Sequence, residues 1–145
     1  MKKLILAFAL AALSATASFA DPLADREAIM KAMGKAVGSV APIAKGEAPF
    51  DAAAVAAAFA TINENATKID VAALFPAGSN TGESTASPKI WEDAAGFQAA
   101  VDKFKADAAA AAATPSADLA AFQAAFGTVT KNCGACHETY RIKKG

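Results

Sequence analysis

The chain of 145 residues has one histidine, two cysteines, one tryptophan and one tyrosine. Outside the cluster that holds its histidine and both cysteines, it offers no constellation of base, nucleophile or metal ligands, so substrate turnover is not indicated and the chain does not read as an enzyme. Charge of one sign is also lacking: 14 basic residues balance 14 acidic ones. With no basic stripe and with aromatics spaced as core, nucleic acid is not a partner. No solenoid-length repeat is present, and no alternating strand period survives anywhere. The high apolar fraction, 54%, comes largely from alanine and reports helix propensity more than a massive core.

The longest apolar run, Leu4 to Leu13, follows Lys2 and Lys3 and precedes Ser18-Phe19-Ala20. Charged start, apolar middle and small-x-small end make residues 1–20 a cleaved secretory signal peptide. An uncleaved anchor is the alternative, but about ten apolar residues fall short of a bilayer roughly 30 Å thick. Residues 21–145 suit one domain, slightly acidic once Lys2 and Lys3 are removed.

What is present is concentrated in Cys133-Gly134-Ala135-Cys136-His137. This is the C-x-x-C-H pattern of covalent c-type haem attachment. On a helix, Cys133 and Cys136 stand one turn apart on one face, so both thiols can add to the two vinyl groups along one haem edge. His137, one turn after Cys133, supplies the proximal nitrogen that haem iron takes as a ligand. Rival readings fail on physical grounds. A thioredoxin-like pair needs a βαβ setting and opens a helix, whereas this one ends an all-helical pattern. Zinc would find its ligands crowded in sequence and a fourth soft ligand missing. A disulfide within one helix at this spacing would be strained.

Four helices are expected around this motif. Asp21-Pro22 caps the first, from about Pro22 to Ala44, with Leu23, Met30, Val37 and Ala44 recurring every seven residues, Met33 and Val40 between them, and Pro42 expected to kink or shorten its end. Asp51 caps the second, reaching about Ala73, with Val55, Phe59, Ile62, Ala66 and Ile69 inward. Leu74 to Ser87 is turn-rich and reads as the one long connection. Ser87-Pro88 opens the third, with Ile90, Ala94, Phe97, Val101, Phe104 and Ala108 on one face and the alanine run 108–113 as its last turns. Thr114-Pro115 opens the fourth, whose stripe runs Leu119, Phe122, Phe126, Val129, Cys133, Cys136, Tyr140, so the cysteines lie on the face pointed at the core. Apolar stripes joined mostly by short turns predict an all-α, antiparallel four-helix bundle.

With this motif near its end, the sequence resembles the class II c-type cytochromes, meaning cytochrome c′ and its low-spin relatives, over the whole of residues 21–145. Besides CGACHETYR, the likeness rests on Arg26-Glu27-Ala28-Ile29-Met30, on Ala44-Lys45-Gly46-Glu47-Ala48-Pro49-Phe50-Asp51 and on Ser87-Pro88-Lys89-Ile90-Trp91. The resemblance implies one covalent haem c with its iron, Cys133 and Cys136 as thioether anchors, His137 as fifth ligand and attachment in the periplasm after export. Met30 falls where low-spin relatives place a sixth ligand and where cytochrome c′ places a residue that caps an open iron. Ligation by Met30, ligation by Met33 and plain core filling by both remain open. The first makes an electron carrier serving redox proteins of the periplasmic electron-transport chain; an open iron makes a binder of nitric oxide or carbon monoxide. Arg26 is implied near a haem propionate, with a solvated helix-start charge as the alternative. Arg141 is implied beside the proximal face, with a helix-end cation as its alternative. Tyr140 and Trp91 read as packing residues with a polar tip, and Phe59, Phe97, Phe122 and Phe126 as ring walls or ordinary core. The small residues of the first two helices permit a homodimer.

Overall fold

The computed structural model describes residues 21–143, so the signal-peptide reading of residues 1–20 lies outside the described residues. Four long helices, α1 (Pro22–Ala44), α2 (Ala52–Thr67), α5 (Ala94–Ala113) and α6 (Leu119–Tyr140), are joined through two single-turn helices, α3 (Val71–Leu74) and α4 (Lys89–Glu92). α1 packs on α2, α2 on α5, α5 on α6 and α6 back on α1, which closes an antiparallel four-helix bundle. Among the described residues no helix is long and apolar enough to cross a membrane.

Caps decide where these helices begin. The Asp21 carboxylate accepts from the N–H of Leu23 at 2.9 Å ahead of Pro22, and that of Asp51 accepts from Ala53 and Ala54 at 2.9 and 3.0 Å. Replacing Asp51 by alanine should lower stability by about 1 kcal/mol, read as a lower denaturant midpoint. Pro42 does not shorten α1, which runs to Ala44; its carbonyl accepts from Glu47 at 2.8 Å, within a turn closed by Gly46 at φ +74°.

Three boundaries differ from expectation, each because an aspartate competes for backbone N–H groups. α2 stops at Thr67 rather than near Ala73, since Asp70 takes the N–H of Ala73 at 3.0 Å and starts α3. The third expected helix breaks at Asp93, which caps α5 through Gly96 at 3.2 Å. That break shifts the helical phase and leaves Ala94 exposed instead of inward. α6 starts after Asp118, whose carboxylate accepts from Ala121 at 2.8 Å, so Thr114-Pro115 belongs to the connection.

The α1 face turned into the core is Ile29, Met33, Ala36, Val40 and Ile43. The expected row of Leu23, Met30, Val37 and Ala44 lies beside it: three are half-buried and Met30 is 39% exposed. All five positions expected inward on the second helix are buried, Val55, Phe59, Ile62 and Ala66 on α2 and Ile69 just past its end. Phe122, fully buried, is ringed by Phe59 at 5.9 Å, Phe126 at 5.3 Å and Phe50 at 6.5 Å between centroids. Connection 75–88 ends against the tail of α6: Ser87 N–H donates to the Tyr140 carbonyl at 3.0 Å, Ile142 N–H to the Thr85 carbonyl at 2.8 Å, and Ala86 pairs with Arg141 as an isolated antiparallel bridge.

Candidate haem site

The last two turns of α6 carry both thiols and the imidazole. Cys133 and Cys136 are half-buried and unbridged, and the Cys133 thiol donates to the Val129 carbonyl at 3.7 Å. Burial pushes both thiols above their ordinary pKa, so each rests protonated. His137 is exposed, yet partial burial, with Arg141 adding to it, holds its imidazole below the usual value. The neutral ring that results is the form that can donate a lone pair to a metal.

These groups open onto a cavity of about 730 Å³. Its walls come from α1 (Leu23, Arg26, Met30, Met33, Val37), α5 (Phe97, Val101, Phe104) and α6 (Thr130, Asn132, Cys133, Cys136, His137, Tyr140), with Phe75, Arg141 and the segment Glu83 to Ala86 closing the rim. All eight residues singled out from sequence, Arg26, Met30, Met33, Cys133, Cys136, His137, Tyr140 and Arg141, line it. Leu23, Met30 and Val37 are therefore the cavity row of α1. Of the four phenylalanines considered as ring walls, only Phe97 is on the lining; Phe59, Phe122 and Phe126 pack in the cluster described above.

Arg26 is no solvated charge. It is 6% exposed, its Nε donates to the Pro22 carbonyl at 3.0 Å, its Nη2 to the Ser79 carbonyl at 2.7 Å, and its Cζ lies 4.9 Å from the centroid of Phe75. Burial lowers its pKa, against the pull of Asp21 and Glu27, but a guanidinium stays charged at any ordinary pH. Its Nη1 and the nearby Ser79 Oγ are buried with no partner among the described residues. Orphaned donors of this kind are expensive, and a carboxylate is the acceptor that suits a guanidinium best. A largely apolar cavity within the usual size range for cofactors, two thiols and an imidazole on one wall, a thioether on another and an orphaned cationic donor together fit a haem c, which is an apolar disc bearing two carboxylates.

Arg141 ends α6 in extended backbone, paired with Ala86, instead of sitting in the last helical turn. Tyr140 donates its hydroxyl to Asp93 Oδ2 at 3.0 Å and packs on Phe97 at 5.1 Å; burial and Asp93 push its phenol above the ordinary value, so it remains a donor. Trp91 satisfies its indole N–H on the Phe75 carbonyl at 3.0 Å. Sequence reasoning missed Phe75, Ser79 and Asn132. Phe75 had a signal, a large aromatic stranded in a polar connection. Asn132 donates to Asp107 at 2.7 Å, where Lys103 also pairs at 2.7 Å, and so ties the turn before Cys133 to α5.

Comparison with known proteins gives a consistent result. A sequence profile of the family described as Cytochrome C′ matches residues 21–141. Cytochrome c-556 of Agrobacterium fabrum is 47% identical over 119 residues, covering 82% of this chain and 80% of that protein. The solved structure of cytochrome c′ from Rhodopseudomonas palustris is similar with a TM-score of 0.78 at 44% identity, over 87% of this chain and 99% of that one. A nitric oxide complex of a variant of cytochrome c prime from Alcaligenes xylosoxidans is similar with a TM-score of 0.72 at 34% identity, over 84% of this chain and 94% of that one.

Proposed function

Because the chain belongs to the cytochrome c′ family, whose members bind a covalent haem c, we propose that it is a periplasmic one-electron carrier with His137 and Met30 as the axial ligands of its iron. Cys133 and Cys136 hold the group through thioethers. The observation that supports Met30 is its position: a large apolar side chain, 39% exposed, on the α1 row that lines the cavity His137 faces. Full burial of a methionine side chain stabilises by about 1.5–3 kcal/mol, which Met30 forgoes in part while Met33, 8% exposed, takes it by packing in the core. Both thioethers line the cavity, and the one less held by packing, that of Met30, is the freer to act as a ligand.

When bound, the haem supplies a one-electron couple at its iron. Every other contribution is the chain's own. His137 and Met30 would hold the iron, and a thioether ligand would favour a high reduction potential. Arg26 and Ser79 offer the orphaned donors to a propionate. Phe75, Phe97, Val101 and Phe104 keep water from the ring. Delivery by the leader at residues 1–20 places the protein in the periplasm, where its partners are redox proteins of the electron-transport chain and no reaction on a substrate is assigned to it.

A second reading, a five-coordinate haem that binds nitric oxide or carbon monoxide with Met30 only capping the open face, draws support from the nitric oxide complex of the related protein. Visible spectra of the ferric and ferrous forms, with and without carbon monoxide, separate the two. A low-spin spectrum with slow carbon monoxide uptake is expected, and Met30→Ala should turn it high-spin and make uptake rapid. A wild-type protein already high-spin and rapid would leave the gas-binding reading in its place.

A further inference from the structure

The ring nitrogens of a metal-bound histidine are normally steered by a hydrogen bond from the nitrogen that does not face the metal. Among the described residues, none of the hydrogen bonds involves the His137 ring. Its orientation therefore depends on the helical turn that carries it, and that turn is the last of α6, where helices fray.

Three hydrogen bonds brace this turn, two of them made by Tyr140. Its hydroxyl donates to Asp93 Oδ2 at 3.0 Å while Asp93 Oδ1 accepts from the N–H of Gly96 at 3.2 Å, so the end of α6 is bonded to the cap that starts α5. Its carbonyl accepts from Ser87 N–H at 3.0 Å, and Ile142 N–H donates to Thr85 at 2.8 Å. Gly96 leaves room for the joint: a Cβ there would lie 2.5 Å from Asp93 Oδ2 and 2.7 Å from the Tyr140 hydroxyl. No other glycine of the described chain would bring a Cβ within 4 Å of anything. The chain thus omits a side chain where one would part Tyr140 from Asp93.

We propose that Tyr140 and Asp93 are positioning residues: their hydrogen bond, with room made by Gly96, is the strut that fixes the tilt of His137 toward the iron. The proposal rests on the reading of His137 as an axial ligand. Neither residue touches the iron; both act through the turn.

The test uses the full holoprotein, with covalent haem verified by mass in each variant. Tyr140→Phe removes one oxygen and keeps the ring on Phe97, while Gly96→Ala disturbs the joint without altering either partner. Both should spread the ferric electron paramagnetic resonance signal over more than one species and change the equilibrium constant for haem reduction by roughly tenfold, the low end of the loss in affinity or activity that follows removal of an outer partner of a metal ligand. Asp93→Asn keeps an oxygen for the Gly96 N–H and sets an amide N–H against the Tyr140 oxygen, so it should stay near wild type. Asp93→Ala also loses the α5 cap and should melt lower, but in signal and reduction equilibrium it should match Tyr140→Phe, and the two combined should shift these no further than either. If Tyr140→Phe and Gly96→Ala lower the melting temperature but leave signal and reduction equilibrium unchanged, Tyr140 is packing alone and the strut is overturned. A wild-type spectrum without histidine ligation would defeat the reading of the site, and the strut with it, before any variant is compared.

Discussion

Exported protein in which Cys133 and Cys136 are both replaced by alanine should have the mass of the bare processed polypeptide, and acid extraction into organic solvent should strip it of all haem colour. Wild type should resist that extraction and carry the added mass of one haem. The expected loss is complete because the chain has no other cysteine, and every remaining hold on the group is non-covalent. Each single replacement should retain one thioether and an altered spectrum. The effect should reach the fold as well. Anything bound to the native state alone stabilises it by mass action, and here the bound group would occupy about 730 Å³ between α1, α5 and α6. The doubly replaced chain should therefore melt at lower temperature, over a broader transition, with its helical signal reduced. Haem still attached in the absence of both sulfurs would mean that attachment lies elsewhere and that the site is misassigned.

The residues of the candidate site were largely legible because its chemistry is local. Cys133, Cys136 and His137 sit within five residues, and the α6 stripe that predicted burial for Phe122 and Val129 also faces the cysteines inward. The α1 pattern shows the limit of such reading. A row lining an apolar cofactor cavity is apolar for the same reason as a row lining the core, so a seven-residue recurrence of Leu23, Met30 and Val37 does not say which of the two it faces. The phase can be settled only by the partner helices, which bury Met33 and Val40 as expected, add Ile29 to them and leave Leu23, Met30 and Val37 to the cavity. Helix boundaries were misjudged where Asp70, Asp93 and Asp118 stop or start a turn that propensity alone would have continued. Least legible were the contacts between distant parts of the chain. Arg26 reaches Ser79 across 53 residues and Tyr140 reaches Asp93 across 47, and no window along the sequence brings either pair together. The connection after α3 read only as a turn-rich link for the same reason: its part in the candidate site, through Phe75, Ser79 and the pairing of Thr85 to Ser87 with the tail, exists only after the bundle has closed.

Phe122→Ala should lower the stability of the holoprotein by about 3–5 kcal/mol while leaving the visible spectrum and the reduction equilibrium as they were. Phe122 has no exposed surface, and its ring touches Phe59 from α2, Phe126 from its own helix and Phe50 from the turn that joins α1 to α2. Truncation removes the ring from all three at once, and a cluster fixed by three separate chain segments can collapse into the space only in part. The full transfer-plus-cavity penalty is therefore expected, read as a lower denaturant midpoint with an unchanged slope. The spectrum is spared because Phe122 does not line the cavity, whereas Phe97, which does, packs on Phe75 at 4.9 Å and on Tyr140 at 5.1 Å. Phe97→Ala is the matched control: a similar loss of stability, but with a changed spectrum. Should Phe122→Ala move the spectrum as far as Phe97→Ala does, the phenylalanine cluster and the cavity wall are one mechanical unit, and the separation drawn between them is wrong.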